Sequence, residues 1–416
     1  LTQSFSFPSE LLAPAGCLER LKVALLYGAN AVYLAGQSFG LRSASDNFSE
    51  IELQEGVRFA HERDAKVYVT LNAFLHDHEL KQLPDYIRFL EESAVDAVIV
   101  SDPGVLETVH QHSSIPIHLS TQASCLNLYS ARAWKQMGAS RIVLGREVSI
   151  EEAGRIRQQA NIPVEQFVHG ALCMAYSGNC VISNYTSGRD SNRGGCAQSC
   201  RYPYTLSSSS SDYSKPVVPV AQKNSFMSSK DLKGLELIPF FLEHQIDSLK
   251  IEGRMKSNFY VAMTVHCYAA ALKHCLTSPE ESWGAQLQML SARLDEMPNR
   301  GYTTASLSHP ATSDSIYQGI RNGSANSSFE VAGTLIEVHQ DDFIVVLTQN
   351  TLTNHEVLEI LTFDGILIPV STEKMCRLDQ ESLAIAHPNT LLKLPYPHSP
   401  HSSRLKAKNL LRRSAV

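Results

Sequence analysis

The sequence predicts an α/β protein: a (β/α)8 barrel of the TIM type, followed by a small β-rich domain that is itself barrel-like. Three observations carry that reading. Eight short apolar segments recur between residues 10 and 254, separated by helix-like stretches. Those stretches carry helix punctuation. Polar residues gather at the C-terminal ends of the apolar segments, the face where such barrels build their sites.

The strand candidates are ELLAPAG (10–16), AVYLAG (31–36), KVYVTLN (66–72) and AVIVSD (97–102) in the first half. IPIHLST (115–121), RIVLGRE (141–147), EQFVHG (165–170) and DSLKIEGR (247–254) complete the set. Each is short and most are rich in Val, Ile or Leu, as strands buried on both faces should be. Ser49 with Glu52, and Ser149 with Glu152, have the capping-box spacing. Asp102 before Pro103 reads as a helix cap and first helical residue, and Gly28 stands where the first helix should stop. Alternating strand and helix implies parallel strands with right-handed crossovers, and eight units suit closure better than an open sheet. The fifth unit leaves only about 20 residues before the next strand, which leaves room for an irregular barrel.

The organisation expected along the chain is a barrel over 1–277, interrupted by an insertion at 171–230. A helical linker (278–327), a β-barrel-like domain with period-two alternation (328–397) and a basic tail (398–416) follow. The insertion opens with clustered cysteines and continues into the serine-rich TLSSSSSDYSKPVVPVAQ, which reads as a loop or surface hairpin.

Asn72, Asp102, Gln122, Arg146, Glu147, His169, Lys250, Glu252 and Arg254 lie within or just beyond strand C-terminal ends. For Asp102 a capping role suffices. In KIEGR, alternation puts Lys250, Glu252 and Arg254 on one side of the strand. Three charges facing a barrel interior are costly unless they pair or bind something.

Composition narrows the class. No apolar run reaches the roughly 18 residues of a membrane span. The N-terminal LTQSFSFPSELLAPAG lacks the basic flank and long apolar core of a secretory leader, so a cytoplasmic protein with reduced thiols is expected. The net charge of −6 provides no general attraction for polyanions. A nucleic-acid partner would need a local patch, and two basic runs qualify: RLKAKNLLRR (Arg404, Lys406, Lys408, Arg412, Arg413) and KIEGRMK (Lys250, Arg254, Lys256). Either could equally be a solvated surface. There is no H-E-x-x-H, no G-x-S-x-G and no G-x-x-x-x-G-K-[ST], so hydrolase and NTPase signatures are missing.

Four of the nine cysteines cluster with the spacing Cys173-x6-Cys180-x15-Cys196-x3-Cys200, directly after the seventh strand. Four readings stay open for them. Disulfides suit the compartment poorly. Zinc fits the x3 pair but not the x6 pair. An iron–sulfur cluster also takes four thiolates, with more permissive spacing, and a place at a catalytic face favours a redox group. A lone nucleophilic cysteine with His169 as its base is the fourth. Cys17, Cys125, Cys267, Cys275 and Cys376 are isolated and read as small apolar side chains.

ELLAPAG, GANAVYLAG, FVHGALCMAYSGNC, RGGCAQSCRYPY and DSLKIEGRMKS together resemble the collagenase-like family of unclassified peptidases, family 32. The likeness runs from about Glu10 to Lys256 and less sharply through the β-rich domain. It implies, despite the family's name, oxygen-independent hydroxylases carrying an iron–sulfur cluster, of the 4Fe–4S type. One branch hydroxylates tRNA, making 5-hydroxyuridine at the wobble position with prephenate as co-substrate. Others act on ribosomal RNA or on ubiquinone precursors, and a collagenase-like peptidase is the remaining alternative. The ubiquinone branch typically stops after the barrel, so the additional C-terminal domain here favours tRNA. Carried over by position, the cluster ligands are Cys173, Cys180, Cys196 and Cys200. Some branches place a ligand after the KDL ahead of the eighth strand; here that position is Lys233, which leaves Cys200 as the local partner. On this reading Arg146, Lys250 and Arg254 bind RNA phosphate or a small dicarboxylate such as prephenate, helped by Gln122 and Asn72. Glu252 or His169 handles protons.

Overall fold

The computed structural model describes residues 9–41, 46–204, 225, 227–317 and 329–414. The serine-rich stretch expected to form a loop or hairpin therefore lies largely outside the described residues.

All eight expected strands form. In chain order they are β1 (Glu10–Pro14), β2 (Ala31–Leu34), β3 (Lys66–Leu71) and β4 (Ala97–Val100). β5 (Ile117–Leu119), β6 (Arg141–Val143) and β7 (Val164–Ala171) follow. An additional short strand, β8 (Asp231–Lys233), precedes β9 (Ser248–Ile251). Neighbours pair in parallel from β1 to β7, β9 pairs with β1, and β7 pairs with β9, which closes an eight-stranded cylinder. The irregularity falls beside β7 rather than in the fifth unit alone: β8 runs antiparallel to its far end, and β10 (Tyr302–Thr303) adds in parallel to β8.

The local signals act as expected. Ser49 and Ser149 both form full capping boxes with Glu52 and Glu152. The Asp102 carboxylate accepts from the backbone N–H of Gly104 and Val105, so its role is to cap a helix. Gly28 sits at φ +113°, a left-handed position that a side chain would strain. The outer faces of the strands and the inner faces of the helices form one large apolar core. The twenty-residue helix Asn258–Thr277 is buried along most of its length. No described helix is long and apolar enough to cross a membrane.

The segment expected to be a helical linker holds the helix Trp283–Asp295 and then β10, which joins it to the barrel sheet. The C-terminal domain is a seven-stranded antiparallel half-barrel with its own core, beginning at Phe329–His339. One expectation is corrected here. The expected basic tail (398–416) is not a free tail over its described residues, 398–414, because Leu410–Ser414 is a strand within that sheet, between Val357–Leu361 and Phe329–His339. Its arginines are consumed internally: Arg412 is 2% exposed and pairs with Glu296 and Glu359, and Arg413 pairs with Glu330 and Glu356. The domain is fastened to the barrel by the Tyr27 phenol, which donates to the Leu361 carbonyl (2.8 Å) and accepts from the Leu410 N–H (3.3 Å).

Candidate active site

Parity along the strands divides the barrel interior into a charged floor and a cavity above it. On the floor, Glu10 accepts from Tyr68 (2.5 Å), Ser248 (2.8 Å) and Arg141 (2.6 Å). Glu165, fully buried, meets Arg141 at 3.4 Å and the Lys250 ammonium at 2.7 Å. Two acids and two bases thus balance inside the cylinder, which is what keeps such burial tolerable. Lys250 also lies over the Tyr33 ring, 4.2 Å from its centroid. It lines the cavity, but its charge is already matched by Glu165, a partner the sequence reading did not name.

The cavity at the C-terminal mouth has a volume of about 160 Å³. Glu252 accepts from the Tyr33 hydroxyl (3.2 Å) and faces Arg146 at 3.9 Å, while Arg146 stacks on Phe167 at 3.8 Å. Burial first, and then the Glu252 charge, hold the Tyr33 phenol far above its ordinary value of 10.0, so it remains a donor. Arg254 is 5% exposed and donates to the Thr70 hydroxyl (3.4 Å) and the Leu41 carbonyl. Asn72 donates to Ser120 (3.3 Å) and Gln122 to the Gly178 carbonyl (3.3 Å). The oxygen of the Gln122 amide, Oε1, is buried and has no partner. Alternation in KIEGR therefore does bring Lys250, Glu252 and Arg254 to one cavity, together with Arg146, Gln122 and Asn72.

His169 does not join them. β7 carries a bulge between Phe167 and His169, so Phe167 pairs with Lys250 but His169 pairs with Ile251. The extra residue turns His169 away from the interior and into a box of Tyr260, Tyr268 and Tyr302. Its Nδ1 meets the Tyr268 hydroxyl at 3.2 Å, and burial, with Lys256 and Lys233 next, pushes its pKa down to about 3. A neutral imidazole sealed behind the wall has no path to the cavity, so the expected proton-handling role is withdrawn from His169. Lys233 also points elsewhere, toward Ser291 (2.9 Å) and Asp295 (2.8 Å).

The roof of the cavity is the cysteine segment. Cys173, Cys180, Cys196 and Cys200 all line it, and all nine cysteines are free thiols. Burial raises the Cys200 thiol, and the charges of Cys173, Cys196 and Cys180 raise it further, so the four sulfurs share one electrostatic neighbourhood. The donor set suits a group that takes four thiolates. Among the described residues no three His, Cys, Asp or Glu side chains surround a point fit for one metal ion. The backbone N–H of Ile182 donates to the Cys180 sulfur (3.4 Å).

Two tethers hold this roof. On one side Glu147 accepts from the Ser177 N–H (2.9 Å) and hydroxyl (3.3 Å), fixing Ser177 at φ +49°. On the other, Arg193 forks onto Glu79 (2.8 and 2.9 Å) and donates to the Phe74 carbonyl (2.7 Å), while the Phe74 N–H donates to Asn192 (3.0 Å). Gly195 is required by close packing, since a Cβ there would stand 2.7 Å from the Asp190 carbonyl. Tyr33, Thr70 and Glu165 escaped the sequence reading. Their signal was strand parity alone, since Glu165 stands two residues before Phe167 on the same face.

The chain is similar in sequence to several known proteins. "tRNA hydroxylation protein P1" of Bacillus subtilis is 42% identical over 346 residues, covering 82% of this chain and 80% of that protein. "tRNA hydroxylation protein P" of Escherichia coli is 32% identical over 423 residues, covering 91% and 92%. "23S rRNA 5-hydroxycytidine C2501 synthase" of Escherichia coli is 39% identical over 258 residues, covering 62% of this chain and 38% of that protein. The model of peptidase family U32 matches residues 16–316, a span that takes in the whole barrel wall from the end of β1, the cysteine roof and β10. The closed barrel with its mouth roofed by four thiols is thus the body of a family member: this chain belongs to peptidase family U32.

Proposed function

We propose that the protein is an oxygen-independent tRNA hydroxylase that forms 5-hydroxyuridine at the wobble position, with an iron–sulfur cluster, of the 4Fe–4S type, on Cys173, Cys180, Cys196 and Cys200 and prephenate as co-substrate. The observation that carries the reading is the sharing of one cavity by four free thiols and the cations Arg146 and Arg254. Relatives named for tRNA hydroxylation align over most of the chain, including the C-terminal domain in the Escherichia coli case.

Replacing the C5–H of uridine by C–OH is a two-electron oxidation, so the co-substrate must accept two electrons, with the oxygen atom coming from it or from water. A bound cluster would supply one-electron steps and, if one iron lacks a protein ligand, a Lewis-acidic site. The chain's own side chains do the rest. Arg146 and Arg254 hold carboxylate or phosphate through forked, charge-assisted hydrogen bonds. Glu252 is the only carboxylate among the described lining residues, and it holds or releases the proton. An anticodon loop is already unpaired, so little opposes extrusion of its base into a cavity of this size.

The peptidase reading finds no footing in the cavity. Its described lining includes Ser177 and cysteines but no histidine, so no Ser–His or Cys–His pair forms there. Two measurements test the proposal. Nucleoside mass spectrometry of tRNA from cells with and without the gene should show 5-hydroxyuridine only in the former. Anaerobically purified protein should carry iron and sulfide, and Cys173→Ser or Cys196→Ser should lose both the iron and the modification. Colourless, iron-free protein, or cleavage of denatured collagen that survives Cys173→Ser, would overturn it.

A further inference from the structure

Exposed aromatic side chains are unevenly distributed over the molecule. Among the described residues the exposed ones are Phe74 (41%), Tyr129 (77%), Tyr176 (61%), Tyr185 (87%) and Tyr202 (50%). All five follow the C-terminal ends of barrel strands. Phe74 comes after β3, Tyr129 opens the helix after β5, and the other three belong to the cysteine segment after β7. Among the described residues of the C-terminal domain, the exposed large apolar side chains are all aliphatic. Large aromatic rings turned to water and confined to the segments that follow strand C-terminal ends mark a contact surface rather than chance.

The chemistry around the rings selects the partner. Between residues 173 and 204 the chain carries Arg189 and Arg201 against one aspartate, Asp190, while the guanidinium of Arg193 is taken up by Glu79, in a protein of net charge −6. Tyrosines interleaved with arginines suit unpaired nucleotides, whose bases stack on the rings while their phosphates meet the cations. A polypeptide partner would gain from apolar pockets, whereas Tyr185 stands out at 87% exposure on the short helix Ile182–Ser187. Both tethers of the roof help to fix the platform, since Tyr176 adjoins the Ser177 anchor and Phe74 is clamped by Arg193 and Asn192.

We propose that these aromatic residues form a stacking rim that receives the unpaired bases on either side of the reacting uridine. The inference rests on the RNA-hydroxylase reading and adds what holds the loop while one base enters the cavity. It also assigns a role to Tyr176, Tyr185 and Tyr202 that is separate from the thiols between them.

The test uses the full chain with its native metal content and an anticodon stem-loop oligonucleotide bearing uridine at the wobble position. A fully paired duplex of the same composition serves as the comparison. The double variant Tyr185→Ala/Tyr202→Ala should bind the stem-loop about 30-fold more weakly or worse, since base–aromatic stacking contributes about 1–3 kcal/mol per ring. Duplex affinity, iron content and melting temperature should be unchanged, and Tyr185→Phe/Tyr202→Phe should restore stem-loop binding. The rim is overturned if the wild type prefers the duplex or binds neither RNA, if the alanine variant binds the stem-loop as tightly, or if the variant loses affinity for denatured collagen instead. The two proposals fail separately. Tyrosine-dependent stem-loop binding in a strain whose 5-hydroxyuridine survives deletion of the gene would sink the hydroxylase and keep the rim. Loss of the nucleoside on deletion, with tyrosine-independent binding, would do the reverse.

Discussion

Two basic runs in this chain look alike in sequence and end in opposite roles. Arg404–Arg413 lies in and beside a strand of the C-terminal sheet, where Arg412 and Arg413 each meet two carboxylates and Arg404 pairs with Asp364. Lys250–Lys256 leaves the end of a barrel strand, where Lys250 settles onto Glu165 while Arg254 stays on the cavity wall. The same residue types are mortar in one place and cavity lining in the other. What decides is whether the fold brings acids to them or opens a cavity before them.

The largest effect that would break this contrast lies in the sheet. Arg412→Ala leaves Glu296 and Glu359, each about a third exposed, without their shared buried partner, and should cost about 2–3 kcal/mol in denaturant unfolding. Activity per folded molecule should hold, and a specific loss of tRNA binding would return Arg412 to the RNA surface. Next comes Arg254→Ala, which should lower wobble-uridine modification on the order of 100-fold with iron retained. Full modification by that variant would remove Arg254 from the site.

A smaller effect separates His169 from the cavity. Its folded pKa of about 3 lies below the ordinary 6.5, so the unfolded chain takes up the proton first as pH falls. The stability this contributes is complete above 6.5 and drains away toward 3, amounting to a loss of about 2 kcal/mol by pH 5. His169→Gln should flatten that part of the stability–pH curve; an unchanged slope would show that the imidazole is not sealed. Smallest of all, Lys406→Ala/Lys408→Ala alters two exposed side chains. Stability should change by no more than about 0.5 kcal/mol, and tRNA affinity should stay within about twofold. A large drop in affinity would restore the tail as an RNA contact.

Much of the barrel was legible because its signals are local. Short buried strands, Ser–x–x–Glu boxes and a glycine stop each speak within a few residues, and the polar strand ends pointed to the mouth. KIEGR was readable for the same reason, since alternation needs no partner. What stayed hidden depended on long-range pairing. LLRRS looks like a charged terminus until two distant strands flank it, and the burial of Glu165 is only rational once Lys250 and Arg141 arrive from elsewhere. The bulge in β7 is the sharpest case: the sequence of EQFVHG continues its alternation, but the backbone does not.

The roof's two anchors have a further mechanical meaning. One ties the segment between the first two cysteines to the loop after β6; the other ties the stretch before the last two to the turn after β3. Whatever settles among the sulfurs must therefore pull on opposite walls of the opening at once. On the proposed cluster reading, filling that seat and shaping the entrance are coupled, so protein prepared without the cluster would be expected to present a slacker doorway.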